Sequence, residues 1–255
     1  MKLFASDYDD TLLIDNQISP KDLKAIEEFQ AQGNLFGINS GRHLDSIFEE
    51  CDRFGLRCDF YIGNNGTVVL NKNKEIIHIN EFPHELVHEV LNYFRKYLKK
   101  EVYFISVNNG YQFGREFFNE GCDFLPTHTD PIDWYLNKPI STMFSQVLDI
   151  KKTMPIVNHL NKAFNNKAVF YGNAPFIDIV HEETDKASGL DKLIKIYNID
   201  KNNCYVAGDN YNDISMFKMF NSFVMKDAKD SIKSFADKET ESVAAALHQI
   251  MSGKF

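Results

Sequence analysis

A pattern that starts, stops and starts again constrains this chain more than anything else in it. Short apolar runs alternate with helical periodicity over about the first 70 residues, the alternation breaks, and it resumes at Lys186. "KLFAS" (Lys2 to Ser6), "NLFGIN" and "CDFYIG" read as strands. Two helical stretches lie between them. In the first, Leu23, Ile26 and Phe29 follow the start signal Ser19-Pro20 and precede Gly33; in the second, Leu44, Ile47, Phe48 and Cys51 precede Gly55. Strands joined by helices of this length need right-handed crossovers, and so a parallel sheet covered on both faces. Ligands of such sheets bind beyond the carboxyl ends of the strands.

The middle of the chain follows a different grammar. "TVVL" and "EIIHI" flank the polar turn "NKNK", a helix begins near Phe82, and "EVYFISV" and "YQFGR" surround Asn108-Asn109-Gly110. "STMFSQVLDI", a helix near Met154 to Phe164, and the strands "AVFY" and "FIDIV" continue the antiparallel theme. From Lys186 a helix with Leu190, Leu193, Ile194 and Tyr197, the strand "CYVAG", another helix, the strand "SFVM" and closing helices restore the first pattern. The expected fold is α/β, a Rossmann-like parallel-sheet core over 1–80 and 186–255 with an α+β domain inserted at 81–185.

Composition excludes several functions. A chain of 255 residues with 44% hydrophobic positions can bury a substantial core, and its formal net charge of −8 is the wrong sign for a surface that neutralises nucleic-acid phosphates. No apolar run approaches the length of a membrane span. The reading is a cytoplasmic protein without nucleic-acid or membrane partners, a monomer or small homo-oligomer. Cys51, Cys58, Cys122 and Cys204 form no C-x-x-C pair and are expected to be buried free thiols.

Chemistry concentrates in four places. "DYDDTLL" (Asp7 to Leu13), at the end of the first strand, packs three carboxylates into four residues, a density that calls for a cation between them. "GDNYNDISMF" follows a later strand, and its Asp209 and Asp213 are one helical turn apart, able to face one point. "INSGR" brings Ser40 to the end of the second strand, and "TDKASGL" brings Lys186 to the start of the returning helix. A hydroxyl and an ammonium suit phosphate oxygens.

The ordered set Asp7-x-Asp9-x-Thr11, Ser40-Gly41-Arg42, Lys186 and Gly208-Asp209-x-x-Asn212-Asp213 resembles the four motifs of the haloacid dehalogenase-like (HAD) hydrolases. The inserted domain, preceded by "IGNNGT" at Ile62 to Thr67, is similar to the type IIB cap of the Cof-type sugar-phosphate phosphatases. The resemblance implies a phosphatase acting on a small phosphorylated metabolite, with Asp7 as the nucleophile that becomes an aspartyl phosphate and Asp9 as the acid and base. It implies Mg2+ held by Asp7, the backbone carbonyl of Asp9, Asp209 and Asp213, the last directly or through water. Thr11, Ser40, Gly41, Lys186 and Asn212 would hold phosphoryl oxygens. Arg42, Asn65, Asn173, Asp178 and His181 are the candidate substrate contacts, under a cap whose closure excludes water. Phosphohexomutase-like transfer and a phosphometabolite-binding regulator with vestigial hydrolysis are the alternatives.

Two positions depart from the family pattern. Asp10 stands where glycine is common, and Lys226-Asp227 replace a Gly-Asn pair. A rival motif, His84-Glu85-x-x-His88, has zinc-protease spacing. Leu86, Val87, Val90, Leu91, Phe94 and Leu98 make the apolar face of that helix, however, which leaves both histidines on a solvated flank. His128 and Trp134 are read as surface or packing residues, Tyr135 likewise.

Overall fold

The computed structural model describes residues 1–108, 113–121, 130–182 and 184–255. Cys122, His128 and the turn residues Asn109 and Gly110 lie outside them. The chain divides into two compact units, Met1–His78 with Asp185–Phe255, and Ile79–Thr184.

In chain order the first segment runs β1 (Leu3–Ser6), β2 (Leu13–Ile14), β3 (Gln17–Ile18), α1 (Pro20–Ala31), β4 (Leu35–Asn39), α2 (Leu44–Phe54), β5 (Phe60–Gly63), β6 (Val68–Asn71) and β7 (Ile76–Ile79). The middle carries α3 (His84–Tyr93), β8 (Val102–Asn108), β9 (Phe113–Phe117), β10 (Asp130–Pro131), β11 (Thr142–Val147), α4 (Thr153–Ala163), β12 (Ala168–Asn173) and β13 (Phe176–His181). The last segment adds α5 (Lys186–Ile196), β14 (Cys204–Gly208), α6 (Ile214–Met219), β15 (Asn221–Met225), α7 (Asp230–Lys233), β16 (Lys238–Thr240) and α8 (Val243–Met251). The edge strand β16 replaces part of what the sequence reads as closing helices.

The sheet of the first unit has the order β16-β15-β14-β1-β4-β5-β6-β7. β16 through β5 are parallel and β6 pairs antiparallel with β5. Every residue of β1 is buried, because side chains of both faces meet helices. On one face Phe4 stacks on Phe36 (centroids 6.0 Å) and meets the edge of Phe29 from α1. On the other, Leu3, Ala5, Ile62 and Val206 join Leu190 and Leu193 of α5 and Phe217 of α6. From β1 the chain moves to β4 on one side, and it later returns to β14 on the other. The carboxyl ends of β1 and β14 therefore flank a topological switch point, the place where sheets of this kind bind their ligands.

The loop after β5 is held unusually tightly. Asn64, Asn65 and Gly66 take φ of 52°, 54° and 97° in succession. Gly66 lies against the start of α5, so that a Cβ on it would overlap the Asp185 carbonyl, and Gly189 of α5 packs on Gly66 in return.

In the second unit the sheet order is β10-β9-β8-β11-β13-β12. Leu86, Val90 and Phe94 of the first helical stretch and Ile156, Val157 and Leu160 of α4 cover one face through Ile105, Val107, Met143, Ile177 and Ile179. Alternation sends their neighbours to the other face. There a cross-strand row runs Tyr171, Asp178, Phe144, Ser106, Arg115. The Arg115 guanidinium lies 4.1 Å from the Phe104 ring centroid and 5.5 Å from that of Phe144. Burial in this setting pushes the Asp178 carboxyl up to about 7. No helix among the described residues is long and apolar enough to cross a membrane.

Two stability effects are expected. Gly66→Ala combines a steric overlap with a left-handed backbone and should cost about 3 kcal/mol in urea unfolding; a loss below about 0.5 kcal/mol would mean that the loop is not packed as described. Because the folded pKa of Asp178 exceeds its unfolded value near 4, its protonated form stabilises the fold at low pH, and that contribution is lost as pH rises through about 7. Asp178→Asn should therefore exceed wild type by up to about 4 kcal/mol at pH 8, the gap closing as pH falls towards 4. An unfolding series across that range checks it, and a pH-independent difference would contradict it.

Candidate active site

Strands buried on both faces leave only their terminal loops to carry charge, and the polar residues of interest follow strand ends. Asp7 follows β1, and its N–H donates to the Ala207 carbonyl on β14 (2.9 Å). Ser40, Gly41 and Arg42 follow β4, and Asp209 follows β14. Lys186 is the first residue of α5, whose start is fixed by a reciprocal cap. The Asp185 carboxylate accepts from Ser188 N–H (2.7 Å), and Asp185 N–H donates to Ser188 Oγ (3.0 Å).

Lys186 is fully buried, and its Nζ lies 2.6 Å from Asp7 Oδ1 and 2.5 Å from Asp213 Oδ1. The other oxygen of Asp213 accepts the N–H groups of Asp209 and Asn210, both at 3.0 Å. This carboxylate stands so close to Gly208 that a Cβ there would overlap it. Thr11 Oγ1 donates to Asp209 Oδ1 (3.0 Å). One carboxylate oxygen from each of Asp7, Asp209 and Asp213 lies within 4.8 Å of the others.

The electrostatics of this group ask for a cation. Burial first, and then the charge of Asp213, pushes the Asp7 carboxyl well above its ordinary value. The same two causes push Asp209 up to about 6, against the Thr11 hydrogen bond. Burial alone would lower the Lys186 ammonium, but Asp213 and Asp7 outweigh it and hold it above its usual range. Three carboxylates against one ammonium leave two negative charges, the charge that one divalent cation balances. The donors fit such an ion. Asp7 and Asp209 each keep an oxygen outside the hydrogen bonds described, whereas both oxygens of Asp213 are engaged, which favours contact through water.

Asp9 faces a different partner. Arg42 grips it with a fork, Nε to Oδ2 at 2.8 Å and Nη2 to Oδ1 at 2.6 Å. The guanidinium also lies 5.1 Å from the Tyr8 ring centroid, and Tyr8 Oη donates to Glu50 (3.1 Å). Arg42, read from the sequence as a substrate contact, thus holds the second aspartate. Thr11, read as a phosphate contact, spends its hydroxyl proton on Asp209. Asp10 takes φ 55°, which explains why glycine suits its position.

Further bonds tie the loops together. Ser40 Oγ accepts from Arg42 N–H (3.1 Å), Asn65 N–H donates to the Ser40 carbonyl (3.0 Å), and Asn212 Nδ2 donates to Asn65 Oδ1 (3.1 Å). Asn39, which the sequence reading overlooked, donates its Nδ2 to the Lys186 carbonyl (2.8 Å). Its signal was there to find, an amide at the end of an otherwise apolar strand. The candidates Asn173, Asp178 and His181 belong to the second unit, at the exposed end of β12 and along β13, with the His181 ring edge-on to Phe82 (6.1 Å). His84, Glu85 and His88 are exposed on α3 and gather no third ligand among the described residues. Trp134 is exposed, while Tyr135 is buried and donates to Asp130 (2.7 Å). Cys51, Cys58 and Cys204 are buried free thiols.

Several known proteins are similar to this chain. The Bacillus subtilis protein YxeH, provisionally named a phosphatase, is 25% identical over 99% of each chain. The Escherichia coli protein YbjI, named 5-amino-6-(5-phospho-D-ribitylamino)uracil phosphatase, is 22% identical over 92% of this chain and 89% of its own. Among solved structures, the HAD subclass IIB sugar phosphatase BT4131 superposes with a TM-score of 0.77 at 22% identity, covering all of both chains. The family model described as haloacid dehalogenase-like hydrolase matches residues 4–246, and the chain belongs to that family.

Proposed function

We propose that this protein is a Mg2+-dependent phosphomonoester hydrolase of small phosphorylated metabolites, sugar phosphates foremost, working through an aspartyl phosphate on Asp7. One observation carries the reading. The buried Asp7 carboxylate ends the central strand at the switch point, with a buried ammonium on one oxygen and two more carboxylates within 4.8 Å. The phosphatase names of YxeH, YbjI and BT4131 support it.

Asp7 and Asp209, with the Asp9 backbone carbonyl, would hold the metal, and Asp213 would reach it through water. Bound there, Mg2+ supplies the positive charge that keeps the carboxylates ionised and steadies phosphoryl oxygens. Ser40, Gly41, Lys186 and Asn212 hold those oxygens, while Thr11 fixes Asp209. In the first step an Asp7 oxygen forms a bond to phosphorus, the ester P–O bond breaks, and the leaving oxygen takes a proton from Asp9. In the second, water attacks the same phosphorus, its proton passes to Asp9, and orthophosphate departs from Asp7. The Arg42 fork fits a resting enzyme with Asp9 ionised; Asp9 must leave it to carry a proton. Discrimination between leaving groups is assigned to the second unit, with Asn173, Asp178 and His181 as candidates.

Phosphate release from p-nitrophenyl phosphate should require both Mg2+ and Asp7, and vanish in Asp7→Asn; wild type inert here and on a panel of sugar phosphates would remove the hydrolase reading. Asp9→Ala separates the two steps. Nitrophenolate leaves without a proton, so one equivalent should appear in a burst, followed by turnover about 10²- to 10⁴-fold below wild type. Phosphorylated Asp7 should then accumulate in the mass spectrum; finding none during that slow phase would rule out the covalent intermediate.

A further inference from the structure

The strained loop after β5 reaches into the group of residues assigned to phosphoryl binding, a placement that rests on the phosphatase reading above. Two of its N–H groups bind the neighbouring loop, Asn64 to the Arg42 carbonyl and Asn65 to the Ser40 carbonyl, both at 3.0 Å. Such a run of left-handed residues persists only where its surroundings fix it, and strain of this kind concentrates at functional sites.

The Asn65 carboxamide lies over Gly41. A Cβ on Gly41 would sit 3.1 Å from Asn65 Oδ1 and 3.2 Å from Nδ2, contacts that glycine alone leaves comfortable. On its other side Oδ1 accepts from Asn212 Nδ2 at 3.1 Å. The side chain is thus wedged between two of the residues that hold phosphoryl oxygens in the proposed mechanism. As placed, the two amides are oriented by the Asn212 hydrogen bond. Oxygen faces Asn212, and the NH2 group is left over. Asn65 is only 3% exposed, and the bond at Oδ1 is its one side-chain hydrogen bond among the described residues. That donor is unspent yet not sealed from solvent, and so stands open to an arriving anion.

We infer that Asn65 is a further phosphoryl-binding residue, its Nδ2 donating to an oxygen of the transferring group and its orientation set by Asn212. "IGNNGT" then supplies a donor of its own, beyond the four family motifs. The bland reading makes Asn65 only a brace for Asn212, and the two readings diverge for Asn65→Asp. That variant keeps the shape and the acceptor for Asn212, and exchanges the donor for an anionic oxygen.

The experiment measures orthophosphate binding to the Mg2+-loaded protein by calorimetry at pH 8, with the thermal midpoint recorded for each variant. Asn65→Asp should weaken binding by more than about tenfold, the scale of losing a hydrogen bond to a charged group. Asn65→Ala should weaken it less, because it adds no charge. Independently of any variant, the assigned Asn65 side-chain amide protons of the wild type should shift on addition of orthophosphate. If wild type binds orthophosphate and hydrolyses esters while Asn65→Asp binds within twofold of it, or the amide signal stays in place, the inference is overturned and the phosphatase reading stands. If wild type neither binds orthophosphate nor hydrolyses esters, both fall together.

Discussion

Everything at the carboxyl edge of the first sheet depends on one buried ammonium. Lys186 has no contact with solvent, and its charge is tolerated only because Asp7 and Asp213 stand within 2.6 Å of it. Removing either partner would leave a charge stranded in a low-dielectric setting, at a cost of about 3–5 kcal/mol. Three loops distant in sequence are therefore fixed relative to one another by electrostatics as much as by packing. The same arrangement leaves the group two positive charges short, a balance that one divalent ion could supply.

Supports for this triad come from every side. Asn39 holds the Lys186 backbone from the end of β4, the Asp185–Ser188 cap fixes the helix that presents it, and Gly66 packs on the same turn. Asp213 is held by two backbone N–H groups and by the missing side chain of Gly208. Asp9 belongs to a separate network of Arg42, Tyr8 and Glu50, and this separation matters chemically. One aspartate is tied into a buried acidic group, the setting that the proposed mechanism gives its nucleophile. The other is partly exposed, the setting that the same proposal gives its acid and base.

Much of this was legible in the chain because its signals are local. Interrupted alternation gave the parallel sheet with its insertion, since periodicity follows burial. Asp7, Asp209 and Asp213 could be placed together because each follows a strand end. Contacts set by non-local geometry were not legible. That Arg42 would fork onto Asp9, that Thr11 would turn to Asp209, and that Asn39 would reach the Lys186 carbonyl all depend on rotamers chosen by neighbours more than thirty residues away. The exposed His84 and His88 show the converse, a motif with correct spacing that gathers no third metal ligand among the described residues.

The sequence by itself determined the family, the α/β class and the identities of the charged residues, because burial patterns and strand-end positions are written in residue order. Tertiary structure alone decided which oxygen meets which nitrogen. It spent both oxygens of Asp213 on donors, kept one each on Asp7 and Asp209, and turned the Asn65 amide so that its nitrogen faces away from Asn212. The reason is physical. Residue order fixes which groups are present at a sheet edge, whereas their pairing is a competition among all of them at once, settled by distances that exist only after the chain has folded.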